Sequence, residues 1–365
     1  MLDPASHPHP SPASDPLDSA RACSRRTEAR LARDPGSHRV LTGDRPTGPL
    51  HVGHYFGTLE NRVRLQRLGV ELLVLVADYQ TITDRDSPAS LPRDVEALVA
   101  DYLAVGIDPA RAVIFAHSQV TPLNQLLLPF LSLVTVAELA GNPTVKAETA
   151  AAGQASMSGL MFTYPVHQAA DILFCKATLV PVGKDQLPHV ELTRTIARRF
   201  NRRYAPGAPA FPEPEALLSD APALLGVDGR KMSKSAGNAI AIGASADETA
   251  RLIARAKTDA DRHIVYDPAR RPEVSNLVLL AALCQRRDPR LVAAETAGAG
   301  SAALKRMVTE AVNERFRAIR ERRAELIRER AYLRDVLRAG NERAGEIAGR
   351  TLAEVQRLMH TTSGA

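Results

Sequence analysis

A doubly wound parallel α/β sheet with a helical insertion, followed by an α-helical domain, is the fold class that this sequence predicts. Two observations carry it. From residue 39 to about 200, short apolar runs of strand length alternate with amphipathic stretches of helix length, the pattern of parallel strands joined by crossover helices. Beyond about residue 246 the strand signal ends, and Glu and Arg interleave from Glu314 to Arg338, as on charged helices. At 365 residues and 45% apolar content, the chain can bury a large core.

Each element follows in order. Residues 1–37 are rich in Pro, Ser, His and Asp and carry an Arg cluster (Arg21, Arg25, Arg26, Arg30, Arg33) with little apolar periodicity; a disordered tail is expected there. Residues 39–43 read as a strand ending in turn residues, and 51–68 as a helix. The continuous apolar run 71–77 suits a strand buried on both faces. A helix over 91–105 leads to an apolar run at 112–116. Residues 123–176 read as mostly helical and inserted, 177–182 as a strand and 186–200 as a helix. A Pro-rich linker, 205–222, leads to the loop Lys231-Met232-Ser233-Lys234-Ser235. The expected division is a tail (1–37), a sheet domain (38–243) and a helical domain (244–365), with ligands beyond the carboxyl ends of the strands.

The formal charge of +6 favours a polyanionic partner. Cys23, Cys175 and Cys284 stand far apart and show no zinc, cluster or disulfide spacing. No protein-bound metal or Fe-S cluster is therefore expected. With neither a membrane-length apolar run nor a signal-peptide core, a cytoplasmic location is expected.

Two short motifs carry chemistry. Pro46-Thr47-Gly48-Pro49-Leu50-His51-Val52-Gly53-His54 lies at the junction of the first strand and first helix. Free amides and the positive dipole end of a helix bind phosphate there, and Gly53 permits close approach. Two histidines three apart share a helix face and can donate to a phosphate whose charge grows in a transition state. The second motif, Lys231 to Ser235, is bracketed by Gly229 and Gly237; mobile ammonium groups there can close over a triphosphate. A third segment, Tyr164-Pro165-Val166-His167-Gln168-Ala169-Ala170-Asp171-Ile172-Leu173, reads as a helix opened by Pro165. It places Tyr164, Gln168 and Asp171 on one polar face. A buried carboxylate there needs a donor, and an indole N–H is a donor and nothing else.

The first two motifs resemble the HIGH and KMSKS signatures of class I aminoacyl-tRNA synthetases. The Tyr-Pro-x-x-x-Ala-Ala-Asp-Ile-Leu segment and the stretch Leu179 to Arg194 are similar to the bacterial tryptophanyl enzymes, over about residues 40–357. The resemblance implies a Rossmann-like catalytic domain, a helical tRNA-binding domain, a homodimer without membrane attachment, and activation of L-tryptophan by Mg2+-bound ATP for transfer to tRNA(Trp). It implies that Arg45, Pro46, Thr47, Gly53 and His54 contact ATP, that Gly183, Lys184 and Asp185 turn beneath its ribose, and that adenine meets backbone near Ala223 or Leu224. His51, His54, Lys146, Lys231 and Lys234 are the implied catalytic groups, with Met232, Ser233 and Ser235 completing the phosphate loop. Asp171 takes the indole N–H, Tyr164 and Gln186 hold the amino group, and Gln80 and Gln168 border the ring.

Many bacterial relatives carry His at the position of Gln80 and Met at that of Gln168. These departures point to an auxiliary form with reduced sensitivity to indole-containing inhibitors. Within the class a tyrosyl-type enzyme is the alternative. Outside it stand a small-molecule nucleotidyltransferase, which needs no basic helical domain, and a non-catalytic tRNA-binding paralogue, which intact His51, His54, Lys231 and Lys234 disfavour.

Overall fold

The computed structural model describes residues 16–83, 90–143, 145–146, 158–218, 223–234 and 236–362. Five parallel strands, β1 (Arg39–Asp44), β2 (Glu71–Val76), β3 (Ala112–Ala116), β4 (Leu179–Val182) and β5 (Glu215–Leu218), form one sheet in the order β3-β2-β1-β4-β5. The winding reverses between β1 and β4, so a crevice opens above their carboxyl ends. β1 and β2 pair along their whole length, from Arg39 with Glu71 to Asp44 with Val76. The burial of Leu72 to Val76 on both faces explains why β2 reads as an unbroken apolar run.

Helix 52–68 follows β1 as anticipated, but its second turn, Tyr55–Leu59, is a π turn. Helix Leu91–Ala104 leads into β3, and helix Leu187–Tyr204 follows β4. In the insertion, short helices Thr121–Gln125, Leu127–Leu131 and Val136–Gly141 precede helix Gly159–Leu173. Pro165 does not open that last helix. Ser158 caps it, its side chain accepting from the Met161 amide at 3.1 Å, and Pro165 lies inside, where buried packing outweighs the missing backbone donor. Tyr164, Gln168 and Asp171 still share a face.

Three further features depart from the expectations. Pro16–Arg33, within the expected tail, is a helix; Leu31 and Thr27 are fully buried and Ser24 Oγ bridges Ala216 O and Leu218 N of β5. The helix covers an edge strand whose ladder would otherwise stay open. β5 itself lies inside the expected linker, its signal masked by flanking prolines. At the opposite edge, the long final helix Arg330–Leu358 leaves the helical region and packs on β3. Asn341 Oδ1 accepts from Ala116 N at 2.9 Å, and a Cβ at Gly340 would stand 1.8 Å from Ile114 O. The remaining helices, Ala246–Ala254, Pro272–Gln285, Pro289–Thr296 and Gly300–Leu326, pack together. Among the described residues no helix is long and apolar enough to cross a membrane.

Candidate active site

A cleft of about 1070 Å³ opens above the carboxyl ends of β1, β2 and β4. Its walls are the start of helix 52–68, helix Gly159–Leu173 and the loop 231–234. One end holds His51, His54, Arg45, Thr47, Lys231, Met232, Ser233 and Lys234; the other holds Gln80, Tyr164, Gln168, Asp171 and Gln186, with Gly183 and Asp185 between.

His51 is the extended N-cap of its helix, not a member of its first turn, yet its ring lies 3.7 Å, centre to centre, from that of His54. The His51 backbone amide donates to His54 Nδ1 at 3.3 Å. That leaves the His54 proton on Nε2, where it can be donated. Burial, aided by His54 and Lys234, holds His51 down at about 3; burial also holds His54 at about 4, against the pull of Asp44. Both rings are neutral donors at physiological pH. A Cβ on Gly53 would lie 3.0 Å from the His51 ring and 3.4 Å from Met232 Sδ, so glycine here lets the helix start nest under the loop.

Backbone joins the first motif to residues 240–242, just beyond the loop. Val52 N donates to Ile240 O and Ile242 N to Leu50 O, each at 2.9 Å, while His51 pairs with Ala241. Met232 is buried and anchors the loop; Lys231 is exposed. Lys234 Nζ reaches Arg45 O at 3.5 Å, and burial pulls its ammonium below the ordinary range against Asp44 and Asp101.

Several contributors are not evident from sequence. Asn238, buried, donates to Asp228 Oδ1 (2.8 Å) and Lys231 O (3.1 Å) and accepts from Ser233 N (2.9 Å). Arg62 pairs with Asp44 at 2.5 Å, and Tyr102 OH donates to the same carboxylate at 2.9 Å. Burial raises the Asp44 carboxyl, but Arg62 and its hydrogen bond outweigh that and set it at about 2. His117 Nε2 meets Asp171 Oδ1 at 2.7 Å. His117 and Asp44 immediately follow or end strands, a position that the carboxyl-end rule flags.

Not every expected residue reaches the cleft. Pro46, Gly53, Lys184, Ala223, Leu224 and Lys146 are absent from its lining. Leu224 packs into the core, whereas Ala223, Lys184 and Lys146 are exposed. Ser235 lies outside the described residues. At the other end Gln168 Nε2 donates to Gln186 Oε1 at 3.4 Å, and Tyr164 OH lies 3.3 Å from His189 Nε2. Among the described residues His117, His167 and Asp171 each offer a metal-capable atom, all within 4.8 Å. One nitrogen of each imidazole is engaged, with Asp171 and Asn124 respectively, while both Nδ1 atoms lack a hydrogen-bond partner among the described residues.

Residues 34–317 match the family model of tRNA synthetases class I (W and Y). The chain is 39% identical over 326 residues to the tryptophan–tRNA ligase of Clostridium longisporum, covering 87% of this chain and 95% of that relative. It is 42% identical over 328 residues to that of Treponema pallidum, covering 88% and 96%. Its fold is similar to the crystal structure of tryptophanyl-tRNA synthetase from Campylobacter jejuni complexed with ADP and tryptophan, with a TM-score of 0.77, 30% identity, and coverage of 88% and 99%.

Proposed function

The chain belongs to the class I tRNA synthetases for tryptophan and tyrosine, and from that premise we infer how its cleft performs the work of a tryptophan–tRNA ligase. The enzyme joins L-tryptophan to tRNA at the expense of ATP. In the proposed mechanism the tryptophan carboxylate attacks the α-phosphorus of ATP and pyrophosphate leaves. A terminal ribose hydroxyl of tRNA(Trp) then takes the aminoacyl group from the adenylate.

Catalysis here is positioning and charge stabilisation. His54, and beside it His51, donate neutral N–H groups to the phosphates; Lys231 and Lys234 close over the leaving pyrophosphate; Arg45 and Thr47 line the same end. Gly183 and Asp185 sit beneath the ribose. Asp171 accepts the indole N–H, and Tyr164 and Gln186 face the amino group. Lys146 has no part in this reading. Magnesium would arrive with the triphosphate and neutralise its charge there; Asp44, the carboxylate at that end, is already tied to Arg62.

The observation that carries the choice of amino acid is Asp171, buried, with Oδ2 lacking a hydrogen-bond partner among the described residues. Such an oxygen requires a donor. Exchange of labelled pyrophosphate into ATP, driven by tryptophan, absent with tyrosine and strongly weakened but still measurable in Asp171→Ala, is the expected result. Exchange driven by tyrosine would overturn it.

The helical region after residue 243 is proposed to track the tRNA backbone towards the anticodon, with the enzyme working in the cytoplasm as a homodimer. Leu128 and Val136, 74% and 72% exposed on successive short helices, are the contacts we propose for a second copy. A Leu128→Glu variant that sediments like the unaltered chain would argue against it.

A further inference from the structure

The carboxylate of Asp171 is held by a buried scaffold. His117, whose side chain is fully buried just past the end of β3, places Nε2 2.7 Å from Asp171 Oδ1. An ionised carboxylate only accepts, so the facing imidazole nitrogen carries the proton and His117 donates. His117 is fixed in turn. Asn124 Nδ2 donates to His117 O at 2.8 Å and to Val120 O at 3.1 Å. With its nitrogen committed, Asn124 presents Oδ1 to His167 Nε2 at 2.8 Å. The His117 and His167 rings pack 4.7 Å apart. The scaffold delivers a single donor to Oδ1, while Oδ2, equally buried, has no hydrogen-bond partner among the described residues.

We propose that His117 is a specificity-determining positioning residue: by occupying Oδ1 it fixes the plane of the Asp171 carboxylate and leaves Oδ2 as one oriented acceptor. The pocket then selects a ring that carries an N–H and rejects an isostere that lacks it. This rests on the reading of Asp171 as the indole partner. A site built to hydrogen-bond a substrate N–H penalises the analogue without it, because its own buried group stays unpaired. Without the His117 donor the carboxylate is free to turn and the penalty shrinks.

The test uses pyrophosphate exchange by the full chain with L-tryptophan and with β-(3-benzothienyl)-L-alanine, in which sulfur replaces the ring N–H. The ratio of kcat/KM for the two substrates is read within each preparation, so partial misfolding cancels. The unaltered enzyme is expected to prefer tryptophan by at least about 100-fold, a floor beneath the roughly 10⁴- to 10⁵-fold that such sites reach. In His117→Leu the ratio falls at least about tenfold through the tryptophan KM, and in His117→Gln, which keeps a donor, most of the preference returns. A His117→Leu ratio equal to that of the unaltered chain overturns the proposal, as does a His117→Gln ratio no better than that of His117→Leu. Asp171→Ala separates the two readings: an undiminished ratio there means that the assignment of Asp171 itself has failed. A collapsed ratio there, beside an intact one in His117→Leu, means that only the role of His117 has.

Discussion

Arg323 and Asp101, 222 positions apart, meet in the interior: Arg323 Nε donates to Asp101 Oδ1, and Asp101 Oδ2 accepts from the Leu50 amide at 3.0 Å. The long helix Gly300–Leu326 thereby holds the residue immediately before His51. Gly243 makes room for the arginine, since a Cβ there would lie 2.7 Å from its side chain. Burial pushes the Asp101 carboxyl up, with Arg323 and the Leu50 amide opposing it. The pair is a mechanical link between the helical region and the His51 end of the cleft.

Asp101→Asn should weaken that link without touching any substrate. Breaking one partner of a buried ion pair costs about 3–5 kcal/mol, visible as a lower urea midpoint. Exchange should slow through the KM for ATP while the KM for tryptophan holds. A change confined to the tryptophan KM would contradict the assignment.

Asn238 ties the loop 231–234 through two hydrogen bonds and joins it to Asp228 through a third. Asn238→Ala leaves Ser233 N and Asp228 without this partner, at about 1–3 kcal/mol. We expect kcat for adenylate formation to fall by about tenfold or more, with the tryptophan KM nearly constant. Unchanged kcat in a folded variant would remove Asn238 from the loop's support.

Acid should destabilise the fold through its buried histidines. His51 is held at about 3, and His54 and His189 at about 4, against 6.5 for an ordinary histidine. The unfolded chain therefore binds more protons over this interval, and stability falls as pH drops from about 6.5 towards 4. Asp44, at about 2 against 3.8, contributes stability above 3.8 that is lost only as pH falls towards 2. Urea midpoints at about pH 7.5 and 5 isolate the histidines. A midpoint that holds or rises on acidification would refute this.

Gln80 and Gln168 line the cleft together with Asp171. The expectation, read from these two residues in the sequence, of reduced sensitivity to indole-containing inhibitors predicts that Gln80→His binds such a compound about tenfold more tightly, the worth of one ordinary hydrogen bond. Equal inhibition constants for the two proteins would dispose of it.

Periodicity made β1, β2 and β3 legible, because each is buried enough for its apolar run to dominate. β5 escaped because its signal is only four residues long and sits among prolines, and it is completed by helix Pro16–Arg33 from 192 positions away. The motifs placed His51, His54, Lys231, Lys234 and Asp171 at one cleft, since spacing along a strand–helix junction or a helix face translates directly into position. Local sequence offered no such rule for Leu224, which the core claims, or for Lys184 and Lys146, which face solvent.

The sequence alone determined the parallel sheet and the placing of the two motifs and Asp171 at one cleft, all of which rest on patterns within about ten residues. Only the tertiary structure decided what holds them: Arg323 on Asp101, Asn238 within its loop, His117 on Asp171, and a helix over each sheet edge. These partners are joined by close packing between distant segments, and hydrogen-bond partners brought together that way leave no periodic trace along the chain.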